Sequence, residues 1–144
     1  MQRIEIAYDV ERAPDEVFAF LTDFAQLRRW RTLESLRVEP AGPVRVGSRL
    51  HTTVKGPRKP MWFTNEVTVL DPGGRAYDDR AIDGTFLIES GWLVEPRAGG
   101  SRIRWNTRFG LRGPMALLTP VFRRVIRQGQ MQDLGQLKGI LEGD

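Results

Sequence analysis

The sequence predicts an α+β fold: a seven-stranded antiparallel sheet, two short helices after the first strand, and a long C-terminal helix across one face of the sheet. Three observations carry this. Between Arg102 and Leu111 the side chains alternate cleanly. Ile103, Trp105, Thr107, Phe109 and Leu111 fall on one face, and Arg102, Arg104, Asn106 and Arg108 on the other. A period of two with one apolar and one polar face marks a sheet buried on one side only. Turn signals at "DPGGR", "DGT" and "RAGGS" cut the chain into strand-length pieces. From Leu118 to Leu141 the apolar period lengthens to that of a helix.

The elements follow in order. "RIEIAYDV" alternates at Ile4, Ile6 and Tyr8 or Val10 and reads as a strand. In "APDEVFAFLTDFAQLRRW" the period changes. Pro14 suits a first helical turn, and Asp15 and Glu16 sit near the positive end of the helix dipole. Val17, Phe18, Phe20 and Leu21 make an apolar face. Thr22 or Asp23 ends this helix and caps a second, which carries Phe24, Leu27 and Trp30. Strand-like segments follow at "LESLRVEP", "SRLHTTVKG", "MWFTNEVTVL" (Met61, Phe63, Val67 and Val69 on one face), "AYDDRAI", "FLIESGWLVEP" and "RIRWNTRFGL". The last two flank "RAGGS" and should pair as a hairpin.

At about 100° per residue, Leu118, Val121, Phe122, Val125, Ile126 and Gly129 share one face of the terminal helix. Leu134, Leu137, Ile140 and Leu141 continue the stripe about a quarter turn away, as suits a long helix bent across a twisted sheet. Pro120 marks its first turn or a kink near it. Taken alone, the stretch with Arg123, Arg124 and Arg127 could be a membrane-surface helix or a nucleic-acid-reading helix. A sheet with one apolar face needs a cover, and the helix lacks a companion helix-turn-helix unit, so the packed cover is the expectation.

The totals set limits. A chain of 144 residues, 40% hydrophobic and 28% charged, fits one domain over 1–144 with one core. No apolar run is long enough to span a bilayer, and the N-terminus lacks a signal-peptide core, so a cytoplasmic location is the default expectation. There is no cysteine and only one histidine, His51. That excludes disulfides, thiol nucleophiles, Cys-ligated metals and His-rich metal sites, and no metal or cofactor is expected. The net charge of +4 comes from scattered basic residues alternating with apolar ones. The arginine row of the last strand is explained as its solvent side, so no nucleic-acid partner is expected.

The phrases "APDEVFAFLTDFAQLRRW", "PVRVGSRL", "NEVTVLDPGGR", "FLIESGWLVEP", "GGSRIRWNTRF" and "FRRVIRQGQMQDLGQLKGILE", in this order of elements, resemble the SRPBCC superfamily. That group includes the START, birch-pollen-allergen and polyketide cyclase/dehydrase proteins, and the likeness covers essentially the whole chain. It implies the helix-grip fold, with the sheet curled around the C-terminal helix and a cavity for a hydrophobic small molecule (a lipid, polyketide or aromatic metabolite) between them. The inward candidates here are Phe63, Asn65, Val67, Phe86, Ile88, Ser90, Trp92, Trp105, Thr107, Phe109, Phe122, Val125 and Gly129, with Trp30 near the entrance. Gly129→Leu and Thr107→Val should change ligand binding with little loss of fold. Aromatic residues on such a face also serve as core, whereas Ser90, Thr107 and Asn65 would need polar partners if buried.

Cyclase relatives imply an acid or base in the cavity. His51, Glu66, Tyr77, Asp78, Asp79, Arg80, Asp83 and Glu89 are the titratable candidates on strands. In "AYDDRAI" either Asp78 and Arg80 turn inward as a polar anchor, or Tyr77 and Asp79 do, or the strand is a solvated edge. His51 should face out if Leu50, Thr52 and Val54 face in. Catalytic residues are not fixed by any motif. The expected function is binding of a hydrophobic small molecule. The alternatives are a polyketide cyclase/dehydratase and a partner-binding module of the chaperone-ATPase-activator type. A buried acid or base with a displaced pKa would favour the enzyme, and a wholly apolar cavity the carrier. A filled cavity beside an exposed apolar patch would favour the partner module.

Overall fold

The computed structural model describes residues 1–143. Strand β1 (Gln2–Val10) leads to helix α1 (Pro14–Thr22), a 3-10 turn (Phe24–Gln26) and the single-turn helix α2 (Leu27–Trp30). Strands β2 (Ser35–Glu39), β3 (Arg49–Val54), β4 (Met61–Asp71), β5 (Ala76–Gly84), β6 (Leu87–Arg97) and β7 (Gly100–Gly110) follow. A second 3-10 stretch (Gly113–Leu118) then enters helix α3 (Thr119–Glu142). The strands form one antiparallel sheet in the order β1, β7, β6, β5, β4, β3, β2. The two short helices therefore carry the chain from one edge to the other, and every later connection is to a neighbouring strand. This is the helix-grip arrangement.

Alternation in β7 holds as the sequence predicts. Ile103, Trp105, Thr107 and Phe109 are buried, and Arg102, Arg104, Asn106 and Arg108 line the outer face. That arginine row is matched by acids. Arg102 pairs with Asp9 at 2.9 Å, Arg104 with Glu95, and Arg108 with Asp78 at 2.9 Å and Glu89 at 3.0 Å. The core lies where α1 and α2 close one end of the concave face. Val17, Leu21 and Trp30 are fully buried there, and Trp30 packs against Trp92 and Trp105.

Three expectations are corrected. Val69 is exposed, because β4 holds one extra residue, Thr68, between Val67 opposite Asp79 and Val69 opposite Asp78. That bulge flips the alternation of the β4 residues beyond it, whereas the shift between Thr64 and Asn65 places its extra residue, Ile82, in β5. Neither Thr22 nor Asp23 caps the second helix. The Thr22 hydroxyl donates to the carbonyl of Phe18, and the Asp23 side chain makes no cap bond. The third correction concerns α3. Its inward stripe is Phe122, Ile126, Gln130, Asp133, Leu134 and Leu137, while Leu118, Val121, Val125 and Gly129 lie exposed. The helix packs along β1 and α2 through its second half. Its first half stands over a cavity rather than over packed sheet, so a smaller part of its apolar arc is covered.

Thr107 is fully buried, and its hydroxyl oxygen lies 2.6 Å from Nε2 of Gln130. It ties β7 to α3. Thr107→Val should therefore cost about 1–3 kcal/mol, because the Gln130 amide loses its only protein partner. Chemical denaturation measures this, and a stability unchanged from wild type would show the bond to be dispensable.

Candidate functional site

A cavity of about 280 Å³ opens between the concave face of the sheet and the first half of α3. That is near the lower end of small-molecule sites. Phe24, Leu27, Leu50, Met61, Phe63, Phe86, Ile88, Trp92 and Ile126 make its wall mostly apolar. The exposed members of the lining, Thr32, Lys55, Val125 and Gly129, mark the mouth.

Two polar groups interrupt the wall. The first comes from β5, whose alternation turns Tyr77 and Asp79 inward and Asp78 and Arg80 outward. The pairing of β5 with β6 runs only from Ala76↔Leu93 to Asp78↔Gly91. Beyond that point side chains replace the ladder. Asp79 Oδ1 accepts from the Ser90 N–H at 2.9 Å, and Glu89 Oε2 from the Ala81 N–H at 2.9 Å. Asn65 reaches from β4 past β5, donating to Asp79 Oδ1 at 2.9 Å and to the Ile88 carbonyl at 2.7 Å. The Tyr77 hydroxyl donates to Asp79 Oδ2 at 2.7 Å.

Burial pushes the Asp79 carboxyl up to about 6, against the bonds from Ser90, Tyr77 and Asn65 that favour its charged form. Burial, followed by the charge of Asp79, also pushes the Tyr77 hydroxyl well up, and the Arg31 guanidinium opposes. The site thus holds a carboxyl group that changes charge near neutral pH beside a tyrosine that stays protonated.

The second polar group ties α2 to α3. Arg31 Nε donates to Asp133 Oδ2 at 3.0 Å, and the Thr32 hydroxyl to Asp133 Oδ1 at 3.0 Å. Arg31 also lies 4.9 Å from the Trp105 ring centroid. Burial raises the pKa of Asp133, and Arg31 and Thr32 oppose the rise.

Among the described residues, two atoms in this wall lack a partner: Trp92 Nε1, a donor, and Gln130 Oε1. Trp92 is 4% exposed and Gln130 6%. The Thr107 hydroxyl can pair with either end of the Gln130 amide, so in either orientation one amide atom remains unpaired.

Of the residues expected in the cavity, Phe63, Asn65, Phe86, Ile88, Ser90, Trp92, Val125 and Gly129 line it. A Cβ on Gly129 would meet nothing within 4 Å, which suits its place at the mouth. Trp105, Thr107, Phe109 and Val67 point inward but are packed in the core, and Phe122 covers Phe86 with ring centroids 5.5 Å apart. Trp30 is not at the entrance. It is 0% exposed, between Trp92 and Trp105, because α2 turns this side chain down into the core. Asp78 and Arg80 are not an inward anchor. Asp78 binds Arg108 and Arg80 binds Glu66 at 2.8 Å, both on the outer face. His51 also lies on that face, with Nδ1 3.1 Å from Thr64 Oγ1. Burial and then Arg37 and Arg49 lower its pKa.

Arg31, Thr32, Gln130 and Asp133 were not expected in the site. A signal existed for two of them: Ile126, Gln130, Asp133 and Leu137 follow the spacing of four, three and four that keeps one helix face. A larger open groove of about 1110 Å³ lies outside the cavity, between α1, β2 and the loop around Pro43. Phe24 belongs to both walls.

The family model described as polyketide cyclase/dehydrase and lipid transport matches residues 1–142. No curated protein matches. Among solved structures, TTHA0849 from Thermus thermophilus superposes with a TM-score of 0.83 at 18% identity, over 95% of this chain and 94% of that one. The Zhui aromatase/cyclase from Streptomyces sp. R1128 gives 0.81 at 15% identity, over 98% and 93%. A norcoclaurine synthase from Thalictrum flavum gives 0.72 at 15%, over 98% and 96%. At these identities the likeness is one of fold. With the family model spanning nearly every residue, the chain belongs to the polyketide cyclase/dehydrase and lipid transport family of the SRPBCC superfamily.

Proposed function

We propose that this protein binds a largely apolar molecule of one or two rings carrying a hydroxyl or carbonyl group, in the cavity between the sheet and α3. The observation that carries this reading is the pair of unpartnered polar atoms, Trp92 Nε1 and one end of the Gln130 amide, in a mostly apolar wall whose other polar groups are paired with one another. Buried polar atoms left unpaired cost stability. A ligand oxygen that meets them recovers that cost, and the aromatic wall supplies the rest.

The test compares 1-naphthol with naphthalene by displacement of a fluorescent apolar probe. The hydroxyl should add about tenfold in affinity, roughly one good hydrogen bond. Gln130→Leu should reduce that difference while naphthalene binding persists. Equal affinities for the two compounds in the wild type would sink the reading.

A second reading, acid–base chemistry of the cyclase/dehydratase kind, is favoured by one observation: Asp79 is held at about 6 in hydrogen-bond contact with Tyr77. A general base is most useful with a pKa near the working pH. In this reading the Tyr77 oxygen takes a proton from carbon next to a ligand carbonyl as its own proton passes to Asp79. The carbonyl oxygen becomes the enolate. Arg31, whose positive charge acts on Tyr77, offsets the new negative charge. The enolate carbon then bonds to a second carbonyl carbon, whose oxygen takes the proton back.

A further inference from the structure

Two chain segments that supply lining residues of the cavity share an unusual charge pattern. From Leu50 to Asn65 there are Lys55, Arg58 and Lys59 and no acid. From Arg112 to Gln132 there are Arg112, Arg123, Arg124 and Arg127 and again no acid. These seven cations stand alone, while the other 15 basic residues share the chain with all 18 acidic ones. On the outer sheet face Arg97, Arg102, Arg104 and Arg108 each have a carboxylate partner. Among the described residues, none of the seven mouth cations forms an ion pair, and Arg127 only donates to the Glu5 carbonyl.

The second segment also exposes apolar residues. Leu117 is 85% exposed, Val121 57% and Val125 60%. Val121 and Val125 fall about 40° apart around α3, and Leu118 ends the 3-10 stretch that enters it. Arg124 follows Val121 by three residues and so flanks the stripe. The stripe continues through Gly129 into the cavity wall. An exposed aliphatic stripe edged by unpaired cations is the pattern of a helix that lies in a lipid interface.

We propose that the mouth of the cavity docks on an anionic lipid bilayer. The Leu118, Val121 and Val125 stripe enters the headgroup region, and Arg112, Arg124 and the loop cations Lys55, Arg58 and Lys59 meet lipid phosphates. A second copy of this chain fits this face poorly, since like cations would oppose each other across a symmetric contact. An acidic protein would use the charges and leave the aliphatic stripe in water. No described helix is long and apolar enough to cross a membrane, so the contact is peripheral. It also puts the cavity opening against the apolar phase from which a hydrophobic ligand would come.

Sedimentation with vesicles tests this on the full chain without any cavity ligand. Vesicles of equal parts phosphatidylcholine and phosphatidylserine should pull the protein down, and phosphatidylcholine alone should not. The pair Val121→Asp and Val125→Asp should lower the bound fraction about tenfold, and the milder pair Val121→Ser and Val125→Ser should lower it less. Lys55→Glu with Lys59→Glu should also weaken binding, whereas Arg97→Glu on the outer face should leave it unchanged. Circular dichroism of each variant separates lost docking from lost fold. Three results would overturn the proposal. One is a wild type that does not sediment with anionic vesicles. Another is an aspartate pair that sediments like the wild type, which would reduce the effect to charge adsorption. The third is a wild-type dimer in light scattering that the aspartate pair dissociates, which would make the stripe a contact between copies.

Discussion

Trp30→Ala is expected to lower folding stability by about 4 kcal/mol, the usual range for emptying a buried tryptophan site. The ring has no exposed surface and touches two others, with centroids 5.8 Å from Trp92 and 5.9 Å from Trp105. Arg31 lies over it at 5.9 Å. Helix α2 is one turn long, too short to hold its own shape in water, so packing fixes it in place. Removing the indole leaves a void between α2 and the sheet that no neighbouring side chain is free to fill. A domain of ordinary stability has only about 5–15 kcal/mol to lose. The urea midpoint should fall by about 2 M for a slope near 2 kcal/mol per molar, and Trp30→Phe should fall less. A tryptophan at a cavity entrance would cost little on truncation. A shift below about a quarter of that size would return Trp30 to the mouth, where the family resemblance had put it.

The second large effect is a dependence of stability on pH set by Asp79. Its folded-state pKa of about 6 lies above the unfolded value of 3.8, so the folded protein holds the extra proton between those limits. Stability is then fully present below the unfolded pKa and is lost as pH rises through the folded one. The loss is about 3 kcal/mol over that window. Asp133, raised by the same cause, acts in the same direction. Asp79→Asn keeps an oxygen for the Ser90 and Asn65 donors and removes the charge. At pH 8 it should therefore be more stable than the wild type by about 1–3 kcal/mol, with a flatter profile between pH 4 and 6. Denaturation across that range is the measurement. An unchanged slope in the variant would mean that Asp79 titrates as an ordinary carboxyl. A group kept ionised at such a cost is what a working site holds and a purely structural one discards. The same variant should abolish any aldol chemistry of the site.

The strands, their order and the polar outer face of β7 were legible because a one-sided sheet writes a period of two into its sequence. Trp105 and Arg104 could not exchange faces without reversing the whole strand. The bulge in β4 was not legible. Nothing in "NEVTVL" marks Val67 and Val69 as opposite in environment, since a bulge is fixed by the partner strand. For β5 the pattern left two registers open, and the structure chooses the one that turns Tyr77 and Asp79 inward. Gln130 and Asp133 add nothing to an apolar period, although both fall on the helix face that Ile126 and Leu137 define. Polar residues that work inside a cavity are the ones a hydrophobic pattern discards. Trp30 was placed in the right helix but at the surface instead of in the core, because a sequence gives the face of a helix but not how deeply that face is buried.

The seam between β5 and β6 has a consequence for how this scaffold can change over evolutionary time. An unbroken ladder pins neighbouring strands about 4.8 Å apart, and no side-chain substitution can alter that spacing. Below Asp78 the two strands are spanned by Asp79, Glu89 and Asn65 instead. Exchanging one of these for a shorter or longer side chain would narrow or widen the wall at that level, while the rest of the sheet stayed in register. The girth of the cavity is thus open to adjustment by single substitutions, which would let one fold take up new ligands by small steps.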